Sequence, residues 1–210
     1  MILKNGLVVD EQFKLRQLDV QILDGKIAQI GINLSGDVVW DMSGKYILPG
    51  FIDTHIHGAC GVRPSDPNPD LNRMTQFEAS QGITSLAITT ASSEFDDLLR
   101  QIDLVKNAAK TCEGSKIIAI HAEGPFISKS RKGAMNAAYI VTPDTKKLDQ
   151  MLEHSEGLLK LITVAPENEG SLDFIRYAVS KGLVVSMGHT DAEFDQANAA
   201  IAAGASQLTH

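Results

Sequence analysis

Histidine and glutamate recur in this chain in short groups whose spacing suits a divalent metal. His55 and His57 stand two apart in Asp53-Thr54-His55-Ile56-His57-Gly58. Residues two apart on a strand share a face, so both imidazoles would converge on one point. Neutral imidazoles in that arrangement suit a divalent transition metal. His121-Ala122-Glu123 repeats the spacing after the apolar run Ile117-Ile118-Ala119-Ile120. A carboxylate there is costly unless it is paired or metal-bound. The other reading of Glu123 is a salt-bridged or helix-capping side chain. His121 is open to two readings, as support behind the ligands or as a hydrogen-bonded interior histidine. His189, in Met187-Gly188-His189-Thr190, and His210, after Leu208-Thr209, follow two further apolar runs. Of the six histidines, His154 alone falls late in a helical pattern, where a solvated imidazole suits the helix dipole. The joint placement of the rest is a stronger signal than any one of them.

Side chains so far apart in sequence need strands that end near one another. From Tyr46 onward, strand-like segments at 47–54, 83–90, 116–121, 159–165, 183–187 and 207–210 alternate with helical stretches at 71–81, 95–110, 143–154, 172–181 and 192–203. Phe95, Leu98, Leu99, Ile102 and Val105 recur at helical spacing, whereas residues 117–120 read as a strand buried on both faces. Such alternation implies a parallel sheet, either doubly wound or closed into a (β/α)8 TIM barrel. In a barrel the histidines would lie at the C-terminal strand ends, where active sites are built. Six strands are two short of closure, and a full barrel needs about 250 residues. Thr142 before Pro143, Ser171 and Asp191 are expected helix caps, and Gly82, Gly182 and Gly204 are expected to follow helix ends. The first 46 residues differ. Strand-like runs at 7–9, 18–23, 27–30 and 38–40, with Asp24-Gly25 as a hairpin turn, predict a small antiparallel sheet too slight to stand alone. The expected division is residues 1–46 and 47–210.

Composition narrows the function classes. The chain has 210 residues, is 43% hydrophobic and 21% charged, and carries a net charge of −7. That balance is ordinary for a globular protein and lacks the basic face of a nucleic-acid binder. It leaves room for an anionic small molecule, since a few local donors can outweigh the net charge. Cys60 and Cys112 are too few for a disulfide framework and are expected as reduced thiols. Residues 1–6 lack a basic stretch followed by a long apolar run, and no stretch approaches the ~20 apolar residues that span a bilayer. A cytoplasmic location without membrane or nucleic-acid partners is expected.

The motifs also resemble a known family. Pro49-Gly50-Phe51-Ile52-Asp53-Thr54-His55-Ile56-His57-Gly58 is similar to the first-strand signature of the amidohydrolase superfamily. His121-Ala122-Glu123-Gly124-Pro125-Phe126, Lys132-Gly133-Ala134, Ala165-Pro166-Glu167, Gly188-His189-Thr190 and Thr209-His210 resemble, in order and spacing, the N-acetylglucosamine-6-phosphate deacetylases. Cyclic amidohydrolases such as dihydroorotase typically use a carboxylated lysine where this chain has Glu123.

The resemblance implies a (β/α)8 barrel of the amidohydrolase type, here only its first six strands, with a small β-sandwich built from both chain ends. It implies a principal metal on Glu123, His189 and His210, with His55 and His57 able to hold a second. Zinc or iron, one or two ions, would activate water for attack on the acetamide, giving acetate and glucosamine 6-phosphate. Ala134 and Met135 align with a sugar contact, although some members have histidine in place of Met135. The family's catalytic aspartate lies beyond His210. So do its phosphate-holding residues, some of them lent by the neighbouring subunit of a homodimer. The polypeptide alone is therefore expected to be inactive. Alternatives are another metal-dependent amidohydrolase, acting on a different acylamino sugar or cyclic amide, and an inactive metal-binding half-barrel.

Overall fold

A computed structural model describes residues 1–210, which divide into two compact units, Met1–Gly50 and Phe51–His210. The first unit is one five-stranded sheet. Its strands are β1 (Ile2–Val9), β2 (Leu15–Leu23), β3 (Lys26–Gly31), β4 (Val39–Asp41) and β5 (Tyr46–Ile47). The turn expected at Asp24-Gly25 joins β2 to β3, with Leu23 paired to Lys26 and both turn residues at positive φ (49° and 72°). The sheet is mixed rather than antiparallel. β4 and β5 run parallel to β1, pairing at Ile2–Lys4 and at Leu7–Val8. Sequence periodicity shows that a strand forms, and pairing direction depends on where the connecting loop carries it. Asp19, 4% exposed, accepts from the amides of Asn5 and Leu34, each at 2.9 Å. Asp19→Ala is expected to cost about 1–3 kcal/mol by leaving two amides unpaired. Faster hydrogen exchange at Asn5 and Leu34 would register it, and unchanged protection there would refute it.

The second unit alternates strand and α-helix, with one added 3-10 turn at Ala137–Tyr139 ahead of its third helix. β6 (Phe51–Ile56), α1 (Leu71–Ser80), β7 (Ile83–Ala91), α2 (Phe95–Thr111), β8 (Lys116–Glu123), α3 (Thr145–Ser155), β9 (Leu159–Val164), α4 (Ser171–Ser180), β10 (Val184–Met187), α5 (Phe194–Ala203) and β11 (Gln207–Leu208) follow in order. All six strands are parallel, and their order in the sheet is their order in the chain. A doubly wound sheet reverses its order partway, so that alternative is excluded. The result is one curled sheet of six strands bounded by β6 and β11.

Several local expectations shift. The strand expected from Ile47 begins at Phe51, and Tyr46–Ile47 instead pair with β1. Pro49, lacking an N–H for a ladder, separates the two. Ile118 is 40% exposed, because β9 joins β8 only from Ile120. Thr142, Ser171 and Asp191 do not cap. Asp144 caps α3, accepting from Lys146 N at 2.8 Å, because its carboxylate reaches the first free amides. Ser171 is the first residue of α4, after Gly170, and its hydroxyl donates to Ala165 O at 2.7 Å. Glu193 and Gln196 form a capping box on α5, while Asp191 pairs with Arg131. Gly82, Gly182 and Gly204 follow helix ends at positive φ, as expected.

The core lies between sheet and helices. Leu86 and Ile88 of β7, Ile120 of β8 and Ile162 of β9 are fully buried, as are Met74, Ile102, Leu148 and Ile175 from the helices. Cys60 and Cys112 are free thiols. No helix is long and apolar enough to cross a membrane.

Candidate metal centre

The curled sheet brings its strand ends together at Glu123, the last residue of β8. This carboxylate is 2% exposed and sits among four imidazoles. Its Oε2 lies 2.7 Å from His57 Nε2 and 3.4 Å from His55 Nε2. Its Oε1 lies 2.8 Å from His210 Nε2 and 3.1 Å from His189 Nε2. One carboxylate thus divides four histidines into two pairs, one from the end of β6 and one from just past β10 and β11. His55, Glu123 and His210 each offer a ligand atom within 4.8 Å of the others.

Local structure sets this convergence. The His55 amide donates to Asp53 Oδ1 at 2.9 Å, and the Ile56 amide donates to Thr89 Oγ1 at 3.0 Å. These bonds anchor the end of β6 to itself and to β7. At the far edge, a Cβ on Gly188 would collide with the side chain of Thr209. Glycine therefore lets the ends of β10 and β11 approach closely enough for His189 and His210 to flank one oxygen. His189 is held from both sides. Its carbonyl accepts from Ser128 N at 2.9 Å, and its Nδ1 lies 2.8 Å from Arg131 O.

This geometry fits a cation. A carbonyl can only accept, so Nδ1 of His189 carries the proton and, in the neutral ring, Nε2 presents a lone pair. That lone pair faces a carboxylate oxygen. Likewise His55 Nε2 and His57 Nε2 lie 3.2 Å apart, a contact that can use only one proton. Nitrogen lone pairs aimed at a buried carboxylate repel one another unless a positive ion lies among them. Imidazole nitrogen with carboxylate oxygen is a donor set suited to zinc or iron.

His121 lies behind the cluster. It is 2% exposed, with Nε2 2.8 Å from Thr163 Oγ1 and Nδ1 3.4 Å from Thr89 Oγ1. Burial, then the nearby His55, pushes its pKa down to about 4. Thr163 continues through Thr209 Oγ1 (2.9 Å) to Ser186 Oγ (2.6 Å), so buried hydroxyls link the strands beneath the site. His154 is remote, its Nδ1 2.8 Å from Asp103 Oδ2 of α2.

Above the cluster a cavity of about 590 Å³ opens, a size suited to a small-molecule ligand. His57, Glu123, His189 and His210 line its floor, with Ala134 and Met135 on its wall. Arg63, Ser65, Ser92 and Asn136 also line it. Sequence reading missed these four, since a single polar residue in a loop has no periodicity to mark it.

Comparison with known proteins places this geometry in context. No protein-family model matches the chain. It is 37% identical to the N-acetylglucosamine-6-phosphate deacetylase of Lysinibacillus sphaericus, the match covering all of this chain and 55% of that protein. It is 30% identical to the N-acetylgalactosamine-6-phosphate deacetylase of Escherichia coli O157:H7, with the same coverage. The crystal structure of N-acetyl-D-glucosamine-6-phosphate deacetylase from Mycobacterium smegmatis matches with a TM-score of 0.89 at 31% identity, covering all of this chain and 60% of that one. The chain spans about half the length of the curated relatives it matches. Along its whole length, it is a homologue of the N-acetylglucosamine-6-phosphate deacetylases.

Proposed function

We propose that the complete protein containing these residues is a metal-dependent hydrolase that removes the acetyl group from N-acetylglucosamine 6-phosphate. The observation that carries this reading is the buried Glu123 carboxylate shared by two histidine pairs at the floor of a cavity. Glu123, His189 and His210 would hold the principal ion, zinc or iron, and His55 with His57 a second. When bound, such an ion polarises an amide carbonyl and lowers the pKa of a bound water. The chain's own residues prepare that site. Glu123 supplies the negative charge, the Arg131 carbonyl fixes the His189 ring, and His121 braces the floor through Thr163. Ala134 and Met135 would lie against the sugar.

The reading extends to architecture. Residues 47–210 would form six strands of an eight-stranded (β/α)8 barrel, and residues 1–46 part of a small β-sandwich. An aspartate beyond His210 would move the proton, and a homodimer in the cytoplasm would be the working form.

A second substrate, N-acetylgalactosamine 6-phosphate, is favoured by the name of the E. coli relative. Acetate release by the protein encoded by the complete reading frame, assayed on both sugar phosphates, is the test. Release that is lost with chelator is expected. No release from either sugar phosphate, or faster ring opening of a cyclic amide by the same protein, would overturn the assignment.

A further inference from the structure

Ala165-Pro166-Glu167 is a motif that the cavity leaves unused, since Glu167 is not among the residues that line it. The Glu167 carboxylate lies just past β9 and meets the turn that follows β10. Its Oε2 accepts from the Thr190 hydroxyl, and its Oε1 accepts from Asp191 N at 2.6 Å. The Thr190 oxygen in turn accepts from Ala192 N at 3.0 Å. The three residues after His189 are thus tied, directly or through Thr190, to one carboxylate. Glu167 is itself on fixed backbone. Ala165 N donates to Phe126 O at 3.0 Å, Pro166 is buried, and Asn168 Nδ2 donates to Ile127 O at 2.9 Å.

His189 needs such an anchor. Its φ is 48°, in the left-handed region, which costs a residue with a side chain about 1–3 kcal/mol and persists only where neighbours impose it. Ser128 N holds the His189 carbonyl at 2.9 Å, and Glu167 holds the residues that follow. The turn then carries Asp191 to Arg131, whose Nη2 and Nε lie 2.6 and 2.9 Å from Asp191 Oδ1. That ion pair is exposed, and such pairs add little stability. Its consequence is positional, because the Arg131 carbonyl is the partner of His189 Nδ1 at 2.8 Å.

We infer that Glu167 is a positioning residue, which holds the 189–191 turn so that Asp191 pins Arg131 and the Arg131 carbonyl keeps His189 Nε2 turned toward Glu123. The inference rests on the reading of His189 as a metal ligand.

The test is zinc affinity by chelator competition, with amide hydrogen exchange of the metal-free chain, for the parent, Glu167→Ala, Glu167→Gln and Asp191→Ala. Glu167→Ala is expected to weaken zinc about 10- to 100-fold, the scale for losing a group that orients a ligand. Glu167→Gln keeps one acceptor for two donors and should lose less. Asp191→Ala leaves both Glu167 bonds in place, yet should weaken zinc by freeing Arg131. The Ser128 amide, which is bonded to His189 and not to Glu167, should exchange faster in Glu167→Ala. Ile88, in the core of β7, should exchange as in the parent, which separates a local effect from general loss of stability. If the parent does not bind zinc, the metal reading fails by itself. Faster exchange at Ser128 would then still assign the role of Glu167, and unchanged exchange would overturn it. Where the parent binds zinc, parent-like affinity in Glu167→Ala overturns the inference. If that variant does not fold, Asp191→Ala, altered at an exposed position, decides in its place, and parent-like affinity there overturns it.

Discussion

Glu123→Gln is expected to lower the affinity of the chain for zinc by about 100-fold or more, since losing a group that merely orients a ligand already costs about 10–100-fold. The reason is geometric. Each carboxylate oxygen serves one histidine pair, Oε1 toward His189 and His210 and Oε2 toward His55 and His57. Glutamine keeps the shape but removes the charge, and it turns an NH2 toward one of the two pairs. That pair then loses its anionic partner. Chelator competition on metal-stripped protein measures the effect. His154→Ala is the control, because His154 pairs with Asp103 away from the cavity, and its affinity should match the parent. Glu123→Gln binding zinc as tightly as the parent would mean that the histidines do not act through this carboxylate.

Phe126→Ala is expected to cost about 3–5 kcal/mol, the range for truncating a fully buried aromatic side chain. Phe126 has no exposure, and its ring centroid lies 4.6 Å from that of Phe174 of α4. Its carbonyl accepts from Ala165 N at 3.0 Å, at the end of β9. The truncation therefore opens a cavity between a site loop and the helix layer, where α4 and β9 cannot collapse inward without moving Phe174. Against the total stability of a typical domain, about 5–15 kcal/mol, such a loss brings the fold near its threshold. Urea denaturation followed by circular dichroism should show a large fall in midpoint. Phe126→Leu, which refills most of the volume, should fall less. An unchanged midpoint for Phe126→Ala would show that the ring is not packed as described.

Much of the outcome was legible in the residues themselves. Helical spacing of apolar residues and short continuous apolar runs located the helices and strands of the second unit, because a helix buries one face, a central parallel strand buries both, and each pattern is local. The Asp24-Gly25 turn was legible for the same reason, as both residues accept positive φ. Ligand types at the ends of apolar runs marked Glu123, His55, His57, His189 and His210, since buried polar groups need partners wherever they fall. Boundaries were less legible. Asp144 displaced Thr142 as a cap, and Glu193 displaced Asp191, because several capping residues stood close together and only the backbone path chose among them.

Tertiary structure alone decided how these pieces combine. Nothing local states that β4 and β5 lie parallel to β1, since direction depends on the course of the connecting loop. Nor could spacing show that strand order follows chain order, which is what carries His57 and His210 to one carboxylate across 66 and 87 residues. The division of the histidines between two oxygens is likewise a property of the curled sheet. Local chemistry specifies elements and donor types, while long-range pairing decides which of them meet.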